Sequence, residues 1–161
     1  MAKNVRSAGE DLDEIDLAIL AALVEDGRAT NRQLAAHAGV AESTAHARLR
    51  SLEARGVISG YEAVLSPTAL GNTIQALIGV GLRPGGRQAN IEKFTAHVRR
   101  LRDVNQFFFI GGTDDFMLHV SVADAESLRR FVVEQISGHE TVASTRTSII
   151  FDHERSHARH R

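Results

Sequence analysis

Apolar residues recur at helical spacing along the N-terminal third of the chain. Leu12, Ile15, Ile19, Leu20 and Leu23 form one stripe over residues 12–24, with Asp13 placed to cap the helix and Gly27 just past its end. Thr30 offers an N-cap for a short second helix carrying Leu34, Ala35 and Ala38, and Gly39 supplies the backbone freedom of a tight turn. A third helix over 41–55 turns Ala45, Leu49 and Leu52 inward and leaves Ser43, Thr44, His46, Ala47, Arg48, Arg50 and Ser51 outward, and Gly56 closes it. From Tyr61 the period changes. Residues 61–65 read as a strand, and Ser66-Pro67 and Gly71 mark a change of direction.

Beyond that linker, strand and helix patterns alternate. Residues 74–82 form an alternating strand, 89–101 an amphipathic helix and 104–110 a second strand rich in phenylalanine. A third strand at 116–122, a second helix at 125–136 with Leu128, Phe131 and Val132 inward, and a fourth strand at 142–151 complete the order β-α-β-β-α-β. Two such halves make a ferredoxin-like antiparallel sheet with both helices on one face, and with the three N-terminal helices the fold class is α+β. Phe116, Leu118, Val120 and Val122 are expected to face the helices. Phe107, Phe108, Phe109 and Ile110 in a row make both faces of strand two apolar, so a second copy is expected to cover the far face of the sheet. Gly79 and Gly81 would either let that partner approach or merely bulge the strand. The expected division is a flexible arm at 1–11, a winged-type helix-turn-helix at 12–60, a linker strand at 61–73, the ferredoxin-like domain at 74–151 and a basic tail at 152–161.

Composition narrows the function classes. The 161 residues suffice for two small domains. The longest apolar runs fall far short of the ~18–20 residues a membrane span needs, and residues 1–10 lack the apolar stretch of a secretory signal. There is no cysteine, which excludes disulfides and Cys-based sites and fits a reducing compartment, so the cytoplasm is expected. The net charge of −1 does not announce nucleic-acid binding, but its distribution is uneven. Asp11, Asp13, Glu14 and Asp16 crowd the first helix, whereas Arg48, Arg50 and Arg55 fall on the third. His153, His157 and His160 stand at helical spacing among arginines; a basic tail is expected there rather than a metal site, and no metal or cofactor is expected elsewhere. The stretch 83–87 lacks the glycine spacing of a phosphate loop and reads as a strand-to-helix turn.

Helix, helix, tight turn, helix is the arrangement that lays an exposed helix in the major groove of double-stranded DNA. Thr30, Ser43, Thr44, His46, Arg48, Arg50 and Ser51 are the candidate DNA contacts: guanidinium groups for phosphate or guanine, hydroxyls for phosphates and base edges. Three short helices followed by a strand also build protein-interaction modules, and that alternative stays open at this level.

The chain resembles the Lrp/AsnC family, the feast/famine regulators, over nearly its whole length. Leu12-Asp13-Glu14-Ile15-Asp16 with Ile19-Leu20 resembles the opening helix, and Asp26-Gly27-Arg28 with Leu34-Ala35 the next segment. Residues 43–48, Leu52-Glu53 and 56–61 resemble the recognition helix and its exit, and Leu65, Pro67, Leu70 and Gly71 the linker. One departure is Ala41, where the family commonly has a capping serine. The resemblance implies a transcription regulator that binds DNA, responds to an amino acid or related metabolite, and builds tetramers or octamers from dimers. Residues 112–118 resemble the family's Gly-x-x-Asp-aromatic turn, which implies an effector site at Gly111, Gly112, Thr113, Asp114 and Asp115, with Thr147 as a secondary member. Backbone N–H groups there would hold a carboxylate and the aspartates an ammonium; without the resemblance the same residues make an ordinary hairpin turn. No catalytic residue is expected. The enzyme alternative is a siroheme decarboxylase, whose two-domain shape is similar and for which His119 and Arg146 would be the recruits, but an outward basic helix has no use in such an enzyme.

Overall fold

In a computed structural model that describes residues 12–153, the chain divides between Ala63 and Val64 into two units, each with its own core. The arm at 1–11 and the tail from 154, with His157 and His160, lie outside the described residues.

The first unit is built from α1 (Glu14–Glu25), α2 (Asn31–Ala38) and α3 (Glu42–Ala54). Asp13 caps α1 by accepting from the Asp16 N–H at 2.9 Å. Thr30 and Gln33 form a reciprocal capping box at the start of α2, and Gly39 ends that helix in the left-handed conformation at φ 67°. Ala41 gives α3 no side-chain cap, which forgoes about 1 kcal/mol. Ile19, Leu34, Ala45 and Leu52 are fully buried where the three helices meet. The strand expected at 61–65 is absent: no strand pairs with this segment, and Tyr61, Val64 and Leu65 are exposed. No wing strand therefore follows α3 among the described residues of this unit, and Tyr61 instead donates its hydroxyl to Glu53 at 2.9 Å.

The second unit opens with a 3₁₀ turn at Thr68–Leu70 and continues as β1 (Ile74–Leu82), α4 (Arg87–Val98), β2 (Val104–Phe109), β3 (Phe116–Val122), α5 (Ala125–Arg130) and β4 (Val142–Ile150). A π-helical segment, Phe131–Ser137, prolongs α5. The sheet order is β2-β3-β1-β4 with antiparallel neighbours, the ferredoxin-like topology. Alternation sorts its side chains: Ala76, Ile78, Val80, Phe116, Leu118 and Val120 are fully buried against Phe94, Val98, Phe131 and Ile136 of the helical layer. Of the phenylalanine run, Phe107 packs on this core, whereas Phe108 on the far face and Phe109, with its ring centroid 5.2 Å from that of Phe116, are both half exposed. The stretch 83–87 is a turn, with Gly85 and Gly86 at positive φ and Gly86 at the start of α4.

Where the π-helical segment ends, His97 of α4 stacks on His139 with ring centroids 4.4 Å apart. His97 Nε2 donates to the Gln135 carbonyl at 2.7 Å, and His139 Nδ1 lies 2.9 Å from the Thr141 hydroxyl. Burial, and secondarily the neighbouring His97, hold the His139 pKa below the ordinary histidine value, against a smaller opposing pull from Glu140. The folded chain therefore binds fewer protons here than the unfolded one, and stability is lost as pH falls through about 6.5 toward the lower folded value. Thermal melts between pH 7.5 and 5.5 should show a falling midpoint, with a shallower fall in His139→Gln. An equally steep fall in that variant would remove His139 as the cause.

Candidate nucleic-acid interface and ligand-binding turn

On α3, Ser43, Thr44, Ala47, Arg50 and Ser51 recur every three or four residues, and His46 flanks them; all are exposed. The opposite stripe, Ala45, Leu49 and Leu52, packs into the first unit's core. This face thus offers hydroxyls, an imidazole and a guanidinium on a helix held from behind.

Two of the expected DNA contacts are engaged otherwise. Arg48 stands three residues after Ala45 and four before Leu52, so helical spacing turns it toward α1 rather than outward. Its Nη1 lies 2.7 Å from Asp13 Oδ2 and 3.3 Å from Asp16 Oδ1. Asp16 is itself buried, with a side chain only 2 % exposed. Its Oδ2 has no hydrogen-bond partner among the described residues, and Arg55 Nη1 stands 3.8 Å away. The acidic crowd on the first helix is therefore partly internal, and Arg48 ties helix to helix. The Asp13 pKa is lowered, chiefly by the Asp16 N–H and further by Arg48. Thr30, the second case, directs its hydroxyl hydrogen to Gln33 Oε1 at 2.7 Å as part of the capping box, which leaves no donor for a phosphate.

In the second unit, residues 110–115 form a turn pinned to the end of β1. Ile110 N–H donates to the Asp115 carbonyl, and Asp115 N–H to the Val80 carbonyl, both at 2.9 Å. The Asp115 carboxylate accepts from Leu82 N–H at 2.7 Å and from Arg87 at 2.6 Å. Asp114 lies over Gly79 on the far face of the sheet. A Cβ at Gly79 would come within 2.5 Å of Asp114 Oδ2, so the missing side chain is what admits the carboxylate. Arg146, which faces Gly79 across β1 and β4, donates to that carboxylate. The space over Gly81 is filled in the same way by the Ser144 hydroxyl. Both glycine gaps are thus occupied from within the chain, and the bulge lies between Gly81 and Leu82.

Gly111, Gly112 and Thr113 stand exposed at the tip of the turn, and their N–H groups donate no hydrogen bond among the described residues. Gly112 has φ 139°, a conformation open to glycine. Thr147 does not join them. It pairs with the buried Ile78, and Thr145 on the same face bonds Ser137 of the helical layer, so Thr147 points to the side of the sheet opposite Arg146. The partners that complete the turn, Arg87 and Arg146, are not among the residues expected at the effector site. The period-two register that sets Arg146 opposite Gly79 is the signal that could have found one of them.

The profile of the Lrp/AsnC ligand binding domain matches residues 75–158, and that of a winged helix-turn-helix DNA-binding domain residues 12–59. The chain is 45% identical to the HTH-type transcriptional regulator AldR of Mycolicibacterium smegmatis over 94% of its own length and 86% of that protein's. It is 36% identical to the leucine-responsive regulatory protein of Rhizobium meliloti, covering 86% of this chain and 88% of the relative. Among solved structures, a transcriptional regulator of Neisseria meningitidis in complex with L-Met superposes with a TM-score of 0.87 at 29% identity, over 93% of this chain and 96% of that one. These relatives are regulators by name and give the siroheme-decarboxylase alternative no support. In the structure its two recruits are already engaged, His119 with Gln75 and Arg146 with Asp114.

The Arg48 tie has a measurable weight. Arg48→Ala leaves the buried Asp16 carboxylate with only the more distant Arg55, so the variant should lose about 1–3 kcal/mol in chemical denaturation. An unchanged unfolding midpoint would show that Arg48 braces nothing.

Proposed function

The chain belongs to the Lrp/AsnC family of DNA-binding transcription regulators, and from that membership we propose that α3 reads DNA through Ser43, Thr44, His46, Arg50 and Ser51 while the turn at Gly111–Asp115 takes an amino acid or a closely related metabolite. The protein is a regulator, not an enzyme. The observation that carries the reading is the two-sided α3: a buried stripe locked to α1, and an exposed face that makes no contact within its own unit's core. A major groove admits such a helix, and its base edges present donors and acceptors that short hydroxyls and a guanidinium match.

The ligand reading is supported by the chemistry of the turn. Three N–H groups at its tip suit a carboxylate, and the two carboxylates at its base offer lone pairs to an ammonium. The neighbour solved with L-Met and the relative named leucine-responsive favour this class of ligand. Two copies pair through the far face of the sheet, where Leu77, Phe108 and Ile150 lie among polar groups, and dimers join into tetramers or octamers. No helix among the described residues is long and apolar enough to cross a membrane, which accords with a place in the cytoplasm beside its DNA. An effector acts by binding one assembly better than another, and a tenfold change in DNA affinity needs about 1.4 kcal/mol of such preference.

Gel-shift titration on the chain's own upstream DNA, at stated salt with and without each common amino acid, tests the reading. Arg50→Ala should weaken the shift roughly tenfold and lower the salt slope by about 1, and Asp115→Ala should blunt any amino-acid response. Full binding by Arg50→Ala would assign the wrong helix face. Sedimentation of the double variant Leu77→Arg, Phe108→Arg should show monomers where the parent chain associates; an undiminished mass would place the interface elsewhere.

A further inference from the structure

A cleft apart from the turn at Gly111–Asp115 opens on the helical side of the sheet in the second unit. It holds about 370 Å³, within the range of small-molecule sites. Phe131 and Val122 lie beneath it, both nearly fully buried, so the surface it offers is mostly polar. Three arginines stand around it: Arg100 and Arg102 just past the end of α4, and Arg130 at the junction of α5 with the π-helical segment. The β1–β3 register sets this cleft at the Ile74–Val122 end of the sheet, whereas the turn lies at the Val80–Phe116 end. Six strand residues separate the two ends, roughly 20 Å.

Arg83 and Arg99 elsewhere in the unit, like the three arginines of the cleft, have no ion pair among the described residues, so what sets the cleft apart is that three such side chains border one space. Arg87, Arg129 and Arg146 each have a carboxylate in an ion pair. Arg100, Arg102 and Arg130 have no ion pair among the described residues, although Asp103 and Glu134 border the same cleft. A helix C-terminus favours cations, and that accounts for Arg100 and in part for Arg102. Arg130 precedes another seven helical residues, Phe131–Ser137, and is drawn there to Asp124 and Glu126 without forming an ion pair with either. The guanidinium fork matches phosphate and carboxylate oxygens, and Ser127 and Asn72 add short polar groups beside it.

We propose that this cleft binds a small, multiply charged organic anion, phosphorylated or polycarboxylated, whose anionic groups meet Arg100, Arg102 and Arg130 and whose hydroxyl or ammonium groups meet Asp103 or Glu134. The site lies apart from the turn and stands whether or not that turn takes an amino acid.

Isothermal titration of the full chain with pyrophosphate and with citrate, each against sodium chloride at matched ionic strength, tests this. Saturable binding of either probe is expected, at least tenfold weaker in Arg100→Gln, Arg102→Gln, Arg130→Gln and unchanged in Arg99→Gln. Binding of pyrophosphate alone would identify phosphorylated ligands, and of citrate alone polycarboxylates. The single variant Arg130→Gln gives the same reading if the triple variant melts early. The proposal is overturned if neither probe binds above chloride, or if the triple variant binds as the parent does. It is also overturned if the arginine changes weaken duplex DNA binding with no small anion bound, which would make the cleft part of the DNA-facing surface.

Discussion

The buried carboxylate of Asp16 sets how α3, the helix proposed to read DNA, is presented. A charge 2 % exposed is tolerated only beside opposite charge, and Arg48 on α3 and Arg55 just past its end supply it. Because both arginines reach toward α1, α3 has little freedom to rotate about its axis: turning it would carry Arg48 away from Asp13 and Asp16 and bring Ala45 and Leu52 out of the core. The exposed face with Ser43, Thr44, Arg50 and Ser51 is then the face left over. Asp13 joins two duties in one side chain, capping α1 through one oxygen and gripping Arg48 through the other.

A comparable economy governs the turn in the second unit. Gly79 leaves a gap on the far face of β1, Asp114 fills it, and Arg146 closes over the carboxylate from β4. One residue on, Asp115 reaches to the edge, where Leu82 N–H and Arg87 hold it. The turn between β2 and β3 is therefore fixed at its base by two carboxylate–guanidinium pairs while its glycine-rich tip stays open. A ligand that adds a carboxylate and an ammonium would meet both features, and it would compete with Arg87 and Arg146 for the aspartates. That competition gives such a ligand a physical means of altering the sheet face through which copies are proposed to pair.

How much of this was legible in the residues differs from place to place. The three helices, their caps at Asp13 and Thr30, and the β-α-β-β-α-β order follow from periodicity and turn chemistry. The expected strand at 61–65 failed because alternation alone does not make a strand; a pairing partner does. Arg48 reads as solvated, as an arginine on a helix does, although its spacing from Ala45 and Leu52 turns it toward α1. Resemblance groups Thr147 with the turn, yet one step of strand alternation puts it on the opposite face from Arg146.

By itself the sequence determined the three helices, the β-α-β-β-α-β order, the family resemblance and most of the outward face of α3, because these depend on local spacing and on which residue types a helix or strand end can accept. Only the tertiary structure decided which charges are partnered. Asp16 with Arg48 lies 32 positions apart, Asp114 with Arg146 also 32, and Arg87 with Asp115 28, distances along the chain over which no periodicity carries information. The same holds for the cleft of Arg100, Arg102 and Arg130: its residues come from the end of one helix and the middle of another, and become neighbours only when both pack on the same face of the sheet.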